Sequence, residues 1–303
     1  MKDKVYIIVG PTASGKTAAA VALAKQINGE IISADSMQIY QGMDIGTAKP
    51  SMEEREGIPH HMFDVASPGE TYSVAMFQSA AQECIADILK RGNVPIIAGG
   101  TGLYINSLTY CLDFTNTSYD EAFRAELQQY DNELLHQMLL KQDAEAATRI
   151  HVNDKKRMIR RLEILRNGET GEYRFNEIND QHNFVMAGLS PERAVLYARI
   201  NKRVDQMMQD GLLDEVKKLA QFYPHAPTAL QAIGYKELLD AMKGKISFIQ
   251  AVEEIKKNTR HYAKRQLTWF RRDPRITWYD PLTYQNMDEL AAEIINQGKS
   301  REG

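Results

Sequence analysis

Apolar and polar positions along this chain follow two different periods. Val5-Tyr6-Ile7-Ile8-Val9, Glu30 to Ala34 and Val94-Pro95-Ile96-Ile97-Ala98 are short runs dominated by apolar side chains, the pattern of strands covered on both faces. Between them the spacing changes to that of helices, first in Ala18-Ala19-Ala20-Val21-Ala22-Leu23 and again near Val74 to Leu89. Strands and helices in alternation predict a parallel sheet with crossover helices.

The alternation ends in the polar run from Asp113 to Thr117. Residues 119–166 are rich in Glu, Gln, Leu, Arg and Ala at helical spacing, so 113–184 reads as an all-helical insertion domain. Phe184 to Leu189, closed by Ser190-Pro191-Glu192, returns the chain to the sheet. Residues 192–272 are again mostly helical, punctuated by Pro224, Pro227 and Gly234, and a loose tail is expected from about Gln297. The core is then 1–112 plus 185–303. No internal repeat or low-complexity tract is visible.

With 303 residues, 43% of them hydrophobic and 25% charged, the chain is long enough to bury one large or two modest cores. No apolar stretch reaches the length of a membrane span, and the start Met1-Lys2-Asp3-Lys4 leads into too short an apolar run for a secretory signal, so a cytoplasmic protein without a membrane partner is expected. Cys84 and Cys111 show no metal-binding or disulfide spacing, and buried thiols are expected.

The formal net charge of −3 argues against a nucleic-acid partner only if charge is evenly spread. It is not. Lys155 to Arg166 holds six basic residues against Glu163 alone, and Lys256 to Arg275 holds eight against Asp273 alone. In the second island Lys256, Arg260 and Lys264 recur every four residues beside Lys257, His261 and Arg265, one cationic face of a helix anchored by Val252, Ile255, Tyr262 and Trp269. With no acidic i+4 partner after Glu254, that face points to a phosphate backbone.

Between the first apolar run and the first helical stretch stands Gly10-Pro11-Thr12-Ala13-Ser14-Gly15-Lys16-Thr17, the P-loop spacing in its required strand-to-helix setting. Backbone N–H groups and the helix N-terminus would face phosphate oxygens, Lys16 would add a point charge, and the Thr17 hydroxyl could ligate Mg²⁺. The fold class is therefore α/β, a P-loop NTPase-like parallel sheet flanked by helices with an all-helical insertion domain. Nucleotide-hydrolysing P-loop proteins also carry an aspartate after a second strand. Here Val94 to Ala98 ends in Gly99-Gly100-Thr101-Gly102, with no acid. An aspartate instead follows Ile31-Ile32-Ser33-Ala34, where Asp35 can be a Mg²⁺ ligand, a general base or a helix cap, with Gln38 beside it suited to a base edge. The glycine-rich loop at 99–102 brings the Thr101 hydroxyl toward the same crevice.

These stretches, together with Ser33-Ala34-Asp35-Ser36-Met37-Gln38-Ile39-Tyr40, Gly42-Met43-Asp44-Ile45-Gly46-Thr47-Ala48-Lys49-Pro50, Gly99-Gly100-Thr101-Gly102-Leu103-Tyr104, Ile150-His151-Val152-Asn153-Asp154, Gly234-Tyr235 and Lys264-Arg265-Gln266-Leu267-Thr268-Trp269-Phe270-Arg271, resemble the tRNA dimethylallyltransferase (isopentenyltransferase) family over about residues 5 to 280. No Cys/His-rich extension follows Arg275, which suggests the bacterial type. The resemblance implies transfer of a dimethylallyl group from dimethylallyl diphosphate to N6 of the adenosine 3′ to the anticodon. Gly10, Thr12, Ala13, Ser14, Gly15, Lys16 and Thr17 would then hold the diphosphate, with Mg²⁺ on Thr17 and a further contact from Arg199 or Arg203. Asp35 would take the proton from N6, with Lys16 and Thr17 as its catalytic partners. Ser36, Met37, Gln38, Thr101, Arg124, Arg157, Arg160, Lys264 and Arg265 would meet the tRNA anticodon stem-loop, on a protein expected to be a monomer. The residues alone leave open an ATP-dependent small-molecule kinase and a non-catalytic P-loop RNA-binding protein.

Overall fold

The computed structural model describes residues 2–112, 120–167, 177–226 and 228–300. The polar break at 113–117 and Pro227 lie outside the described residues. In chain order the elements are β1 (Lys4–Val9), α1 (Lys16–Ile27), β2 (Gly29–Ser33), α2 (Met52–Arg55), β3 (His60–His61), α3 (Val74–Lys90), β4 (Val94–Gly99) and α4 (Gly102–Thr109). They are followed by α5 (Glu121–Gln129), α6 (Asn132–Gln142), α7 (Ala144–Arg149) and α8 (Lys155–Arg166). The last part holds β5 (Asn183–Leu189), α9 (Arg193–Gln209), α10 (Leu212–Phe222), α11 (Tyr235–Met242), α12 (Phe248–Phe270), β6 (Thr277–Tyr279) and α13 (Met287–Ser300). Two compact units result, one from 1–109 with 178–303 and the other from 110–177.

In the larger unit six strands form one sheet in the order β3-β2-β4-β1-β5-β6, every pairing parallel. Alternation along β1 sorts its side chains between two layers. Val5, Ile7 and Val9 join Phe77, Ile85 and Ile88 of α3 and Tyr104 of α4 on one face, while Tyr6 and Ile8 join the alanine-rich α1 and Leu290, Ala291 and Ile294 of α13 on the other. Burying the larger of these side chains contributes roughly 1.5–3 kcal/mol each. A third core joins Ile39, Tyr40 and Met43 to α9 through α12, anchoring the segment after β2.

Strands β1, β2, β4 and β5 and helices α1 and α3 fall where the hydrophobic pattern predicts. β3 and β6, of two and three residues, are too short to carry a period of their own. The loose tail expected from Gln297 is instead the last turn of α13. Gly298 is buried, and a Cβ there would lie 3.0 Å from the Tyr6 hydroxyl, so close packing on the sheet holds this end in place. The expected burial of both thiols also fails: Cys84 is half-buried but Cys111, just past α4, is exposed.

The smaller unit has its own core of Leu127, Leu135, Leu139, Met158 and Leu162. Each of its helices starts on an aspartate whose carboxylate accepts an N–H of the first turn: Asp120 from Phe123, Asp131 from Leu134, Asp143 from Ala146 and Asp154 from Arg157. Such caps are worth about 1 kcal/mol each.

Candidate active site

Adjacent parallel strands β1, β4 and β2 end on the same edge of the sheet, so the three loops that leave them converge. The loop from β1 turns through Ala13 (φ 63°) and Gly15 (φ 96°), and Gly15 sits at the N-cap of α1 without a side-chain cap, leaving first-turn N–H groups for a ligand. Lys16 Nζ donates to the Pro11 carbonyl at 2.7 Å. Among the described residues the buried Ser14 hydroxyl has no hydrogen-bond partner. A buried orphan of this kind at a helix N-terminus fits a cradle shaped for phosphate oxygens.

Asp35 follows β2. Its Oδ1 accepts the Met37 N–H at 2.9 Å and no helix begins there, because residues 36–39 form turns. The carboxylate therefore closes a local turn, and the helix-cap reading does not apply. Burial pushes the Asp35 carboxyl up, against the opposing pull of the Met37 N–H, the Lys16 ammonium and the Gln38 N–H. Burial likewise holds Lys16 down at about 8, with Asp35 raising it and Arg203 lowering it further. Each group keeps partial exposure, yet the packing around them leaves too little water to solvate either charge fully. A desolvated carboxylate and a desolvated ammonium thus lie near enough to act on each other's charge.

Thr12, Asp35, Ser36 and Arg203 line the polar part of a cavity of about 400 Å³. Its apolar wall comes from Met37 with Ile200, Val204 and Met207 of α9, and a third side is Gly46-Thr47-Ala48. Tyr262 and Arg265 of α12 close it, with the Arg265 guanidinium 5.7 Å from the Tyr262 ring centre. The Tyr262 hydroxyl is pushed up, chiefly by burial and then by Asp35.

Thr101 belongs to the same corner. Its N–H donates to Ala34 O at 3.2 Å, and its hydroxyl accepts the Ser36 N–H at 3.0 Å. Gln38, expected to read a base edge, has its bonds elsewhere. Its amide donates to Thr47 O and Ala48 O at 3.1 and 3.2 Å and accepts from the Ser33 hydroxyl, so its polar atoms hold the 46–48 wall. Of the two α9 arginines expected at the diphosphate, Arg203 reaches the cavity, whereas Arg199 stands one turn away.

In the smaller unit Arg124 grips buried Glu163 through two bonds of 2.7 Å, and Arg160 meets the same carboxylate at 3.3 Å. Arg157 is exposed and pairs with Asp154 at 3.3 Å. On α12 the cationic face is more neutralised than i+4 spacing suggested. Lys256 pairs with Asp205 of α9 at 2.8 Å and with Glu253, Lys257 pairs with Glu254, and Arg260 donates to Asn201 at 2.6 Å. Lys264 and Arg265 are exposed. The anchoring face is as expected, with Ile255 buried and Trp269 packed on the first core.

Gln266 is given no role by the reading of the sequence, yet it bonds both loops of the site. Its Oε1 accepts the Thr12 N–H at 2.9 Å while its Nε2 donates to Gly100 O at 3.0 Å. One buried amide thereby ties the phosphate loop to the glycine-rich loop. The available signal was a polar residue on the core stripe Ala263, Gln266, Phe270.

Comparison with known proteins identifies the family. The IPP transferase family model matches residues 38–273, and an isopentenyl transferase model matches 3–66. The tRNA dimethylallyltransferase of Carboxydothermus hydrogenoformans is 50% identical, with 98% of each chain covered. The crystal structure of a tRNA isopentenylpyrophosphate transferase from Bacillus halodurans is similar at a TM-score of 0.75 and 44% identity, covering 99% of this chain and 98% of that one. A eukaryotic dimethylallyltransferase acting on tRNA is similar at a TM-score of 0.84 and 31% identity, covering 99% of this chain and 80% of that one. The chain belongs to the IPP transferase family.

Proposed function

We propose that this chain transfers a dimethylallyl group from dimethylallyl diphosphate to N6 of the adenosine on the 3′ side of the anticodon in tRNA, releasing diphosphate. The observation that carries this reading is that Asp35, a buried carboxylate with a raised pKa, shares one cavity with Thr12 of the phosphate loop and lies within electrostatic reach of Lys16. Names of the similar proteins supply the substrate class.

Carbon–oxygen cleavage would leave negative charge on diphosphate. The first-turn N–H groups of α1 and the Lys16 ammonium, both fixed before reaction, stabilise that charge as it develops. Among the described residues no group of three or more His, Cys, Asp or Glu converges on one point. The exposed Thr17 hydroxyl at the start of α1 suits Mg²⁺ held jointly with phosphate oxygens and water, a cation that would further neutralise the leaving group. Asp35, within the same cavity, accepts the N6 proton as nitrogen bonds to the allylic carbon. Met37, Ile200 and Val204 offer the apolar wall against which a five-carbon group packs and from which water is kept.

The adenosine must leave the anticodon-loop stack to enter. Exposed Lys264 and Arg265 on the larger unit, and exposed Arg157 on the smaller one, would each offer a cation to the RNA backbone, while Arg124 and Arg160 first build the smaller unit through Glu163. Among the described residues no helix is long and apolar enough to cross a membrane. A cytoplasmic monomer fits this reading.

The test incubates protein, Mg²⁺ and radiolabelled dimethylallyl diphosphate with unmodified tRNA, beside Asp35→Ala. Label should enter RNA with the wild type and fall about 10²-fold or more in the variant, while tRNA affinity holds. ATP consumption without labelled RNA would instead support a kinase.

A further inference from the structure

The cavity wall at Gly46-Thr47-Ala48 has no secondary structure of its own, yet its backbone is fixed from outside. The N–H groups of Asp44, Ile45 and Gly46 all converge on the carboxylate of Glu215 on α10, at 2.9, 2.8 and 3.0 Å. Three successive amides around one point form an anion-binding nest. Glu215, about 170 residues away in sequence, supplies its anion. The same carboxylate accepts the Tyr235 hydroxyl at 2.6 Å. The Tyr235 ring then fills the space beside Gly46, where a Cβ would lie 2.5 Å from it. Gln38 holds the opposite edge of the wall through Thr47 O and Ala48 O.

The geometry points to Glu215 as a positioning residue for group transfer: by filling the nest at 44–46 and orienting Tyr235, it holds Gly46-Thr47-Ala48 as one wall of the transfer cavity. Glu215 does not itself line the cavity, whereas Gly46, Thr47, Ala48 and Tyr235 do. Its carboxylate is taken up by the three amides and the Tyr235 hydroxyl, so it acts on the wall and not on the reacting atoms. Charge-assisted bonds of this kind exceed neutral ones in strength. Without them the three amides would turn to water and the wall would lose its fixed distance from Ser36 and Met37. This inference rests on the transfer reading.

Glu215→Ala, Glu215→Gln and Tyr235→Phe are compared with wild type for kcat and KM of prenyl transfer, each normalised to folded protein by circular dichroism. Backbone amide exchange at residues 44–46 is measured beside them. Glu215→Ala should lower kcat about 10²-fold, the scale set by small misplacements in a site, and speed exchange of the three amides. Glu215→Gln, which keeps an acceptor in the nest, should retain more activity. Formate, added against a chloride-matched control, should refill the nest of Glu215→Ala, restoring part of kcat and slowing exchange again. Folded Glu215→Ala with wild-type kcat, or with a loss that formate leaves untouched, would overturn the proposal. If Glu215→Ala does not fold, Tyr235→Phe decides: a lower kcat with faster exchange at 44–46 supports the role, and wild-type values for both refute it. A wild type that transfers no label defeats the transfer reading, while the exchange measurement still reports on the wall.

Discussion

Gln266→Leu replaces a buried amide with a side chain of similar volume and removes both ties between the phosphate loop and the glycine-rich loop. Thr12 N–H loses its acceptor at 2.9 Å, and Gly100 O loses its donor at 3.0 Å. Neither loop has room to shift inward, since a Cβ at Gly100 would already lie 2.1 Å from Gln266 Nε2. An orphaned polar group costs about 1–3 kcal/mol, less where water can reach it. Thr12 borders the cavity and falls at the low end, and Gly100 O, facing the buried side chain, falls nearer the high end. The loss sums to about 3 kcal/mol, equivalent to a fall in Tm of about 6–12 °C for a domain of this size class. The chain's two tryptophans, Trp269 and Trp278, both pack against the first core, so urea unfolding followed by tryptophan fluorescence reads the larger unit selectively. Transfer kcat in the folded variant should fall about 10-fold as Thr12 moves. Gln266→Glu sharpens the test: at neutral pH it sets a carboxylate oxygen against Gly100 O and should be less stable than Gln266→Leu, a gap that closes in acid as the carboxyl gains a donor proton. A Gln266→Leu protein with the wild-type urea midpoint and wild-type kcat would refute the clamp.

Two more predictions concern pH. Glu30, buried near the start of β2, bonds Arg91, Asn93 and His61, and these partners, Arg91 first, hold its carboxyl down at about 2. A depressed carboxyl stabilises the fold above its unfolded pKa near 4.5 and loses that contribution as pH falls toward 2, so Glu30→Gln should cost about 2 kcal/mol at pH 7, allowing for the partly exposed Arg91, and almost nothing near pH 2, as read by urea midpoints across pH. Lys16, held at about 8, is charged below that value and neutral above it. Affinity for inorganic pyrophosphate should therefore fall by up to about 10-fold per pH unit above pH 8 and lose this step in Lys16→Met, as titration calorimetry would show; an unchanged pH dependence in the variant would count against Lys16 as the binding charge.

Features whose cause is local were legible before any folding was considered. The P-loop needs only its strand, its glycines and the helix that follows, all within Lys4 to Ile27. Apolar runs marked the buried strands because a strand covered on both faces has no polar side to confuse its pattern. Asp35 was legible as a residue of the crevice because the carboxyl end of a parallel strand places it there, and it lines the cavity. Contacts that cross the chain, by contrast, came from folding alone. Gln266 joins Thr12 over 254 positions and Glu215 reaches Asp44 over 171. Arg124 meets Glu163 over 39 positions, and Lys256 meets Asp205 on another helix. The same chemistry that reads as a base-reading amide in Gln38, or as a free cationic face on α12, becomes a loop support or a satisfied ion pair once its neighbours are in place. A side chain's type sets which bonds it can make, but only packing brings the partner within hydrogen-bond distance, and desolvation then decides which bonds the fold must keep.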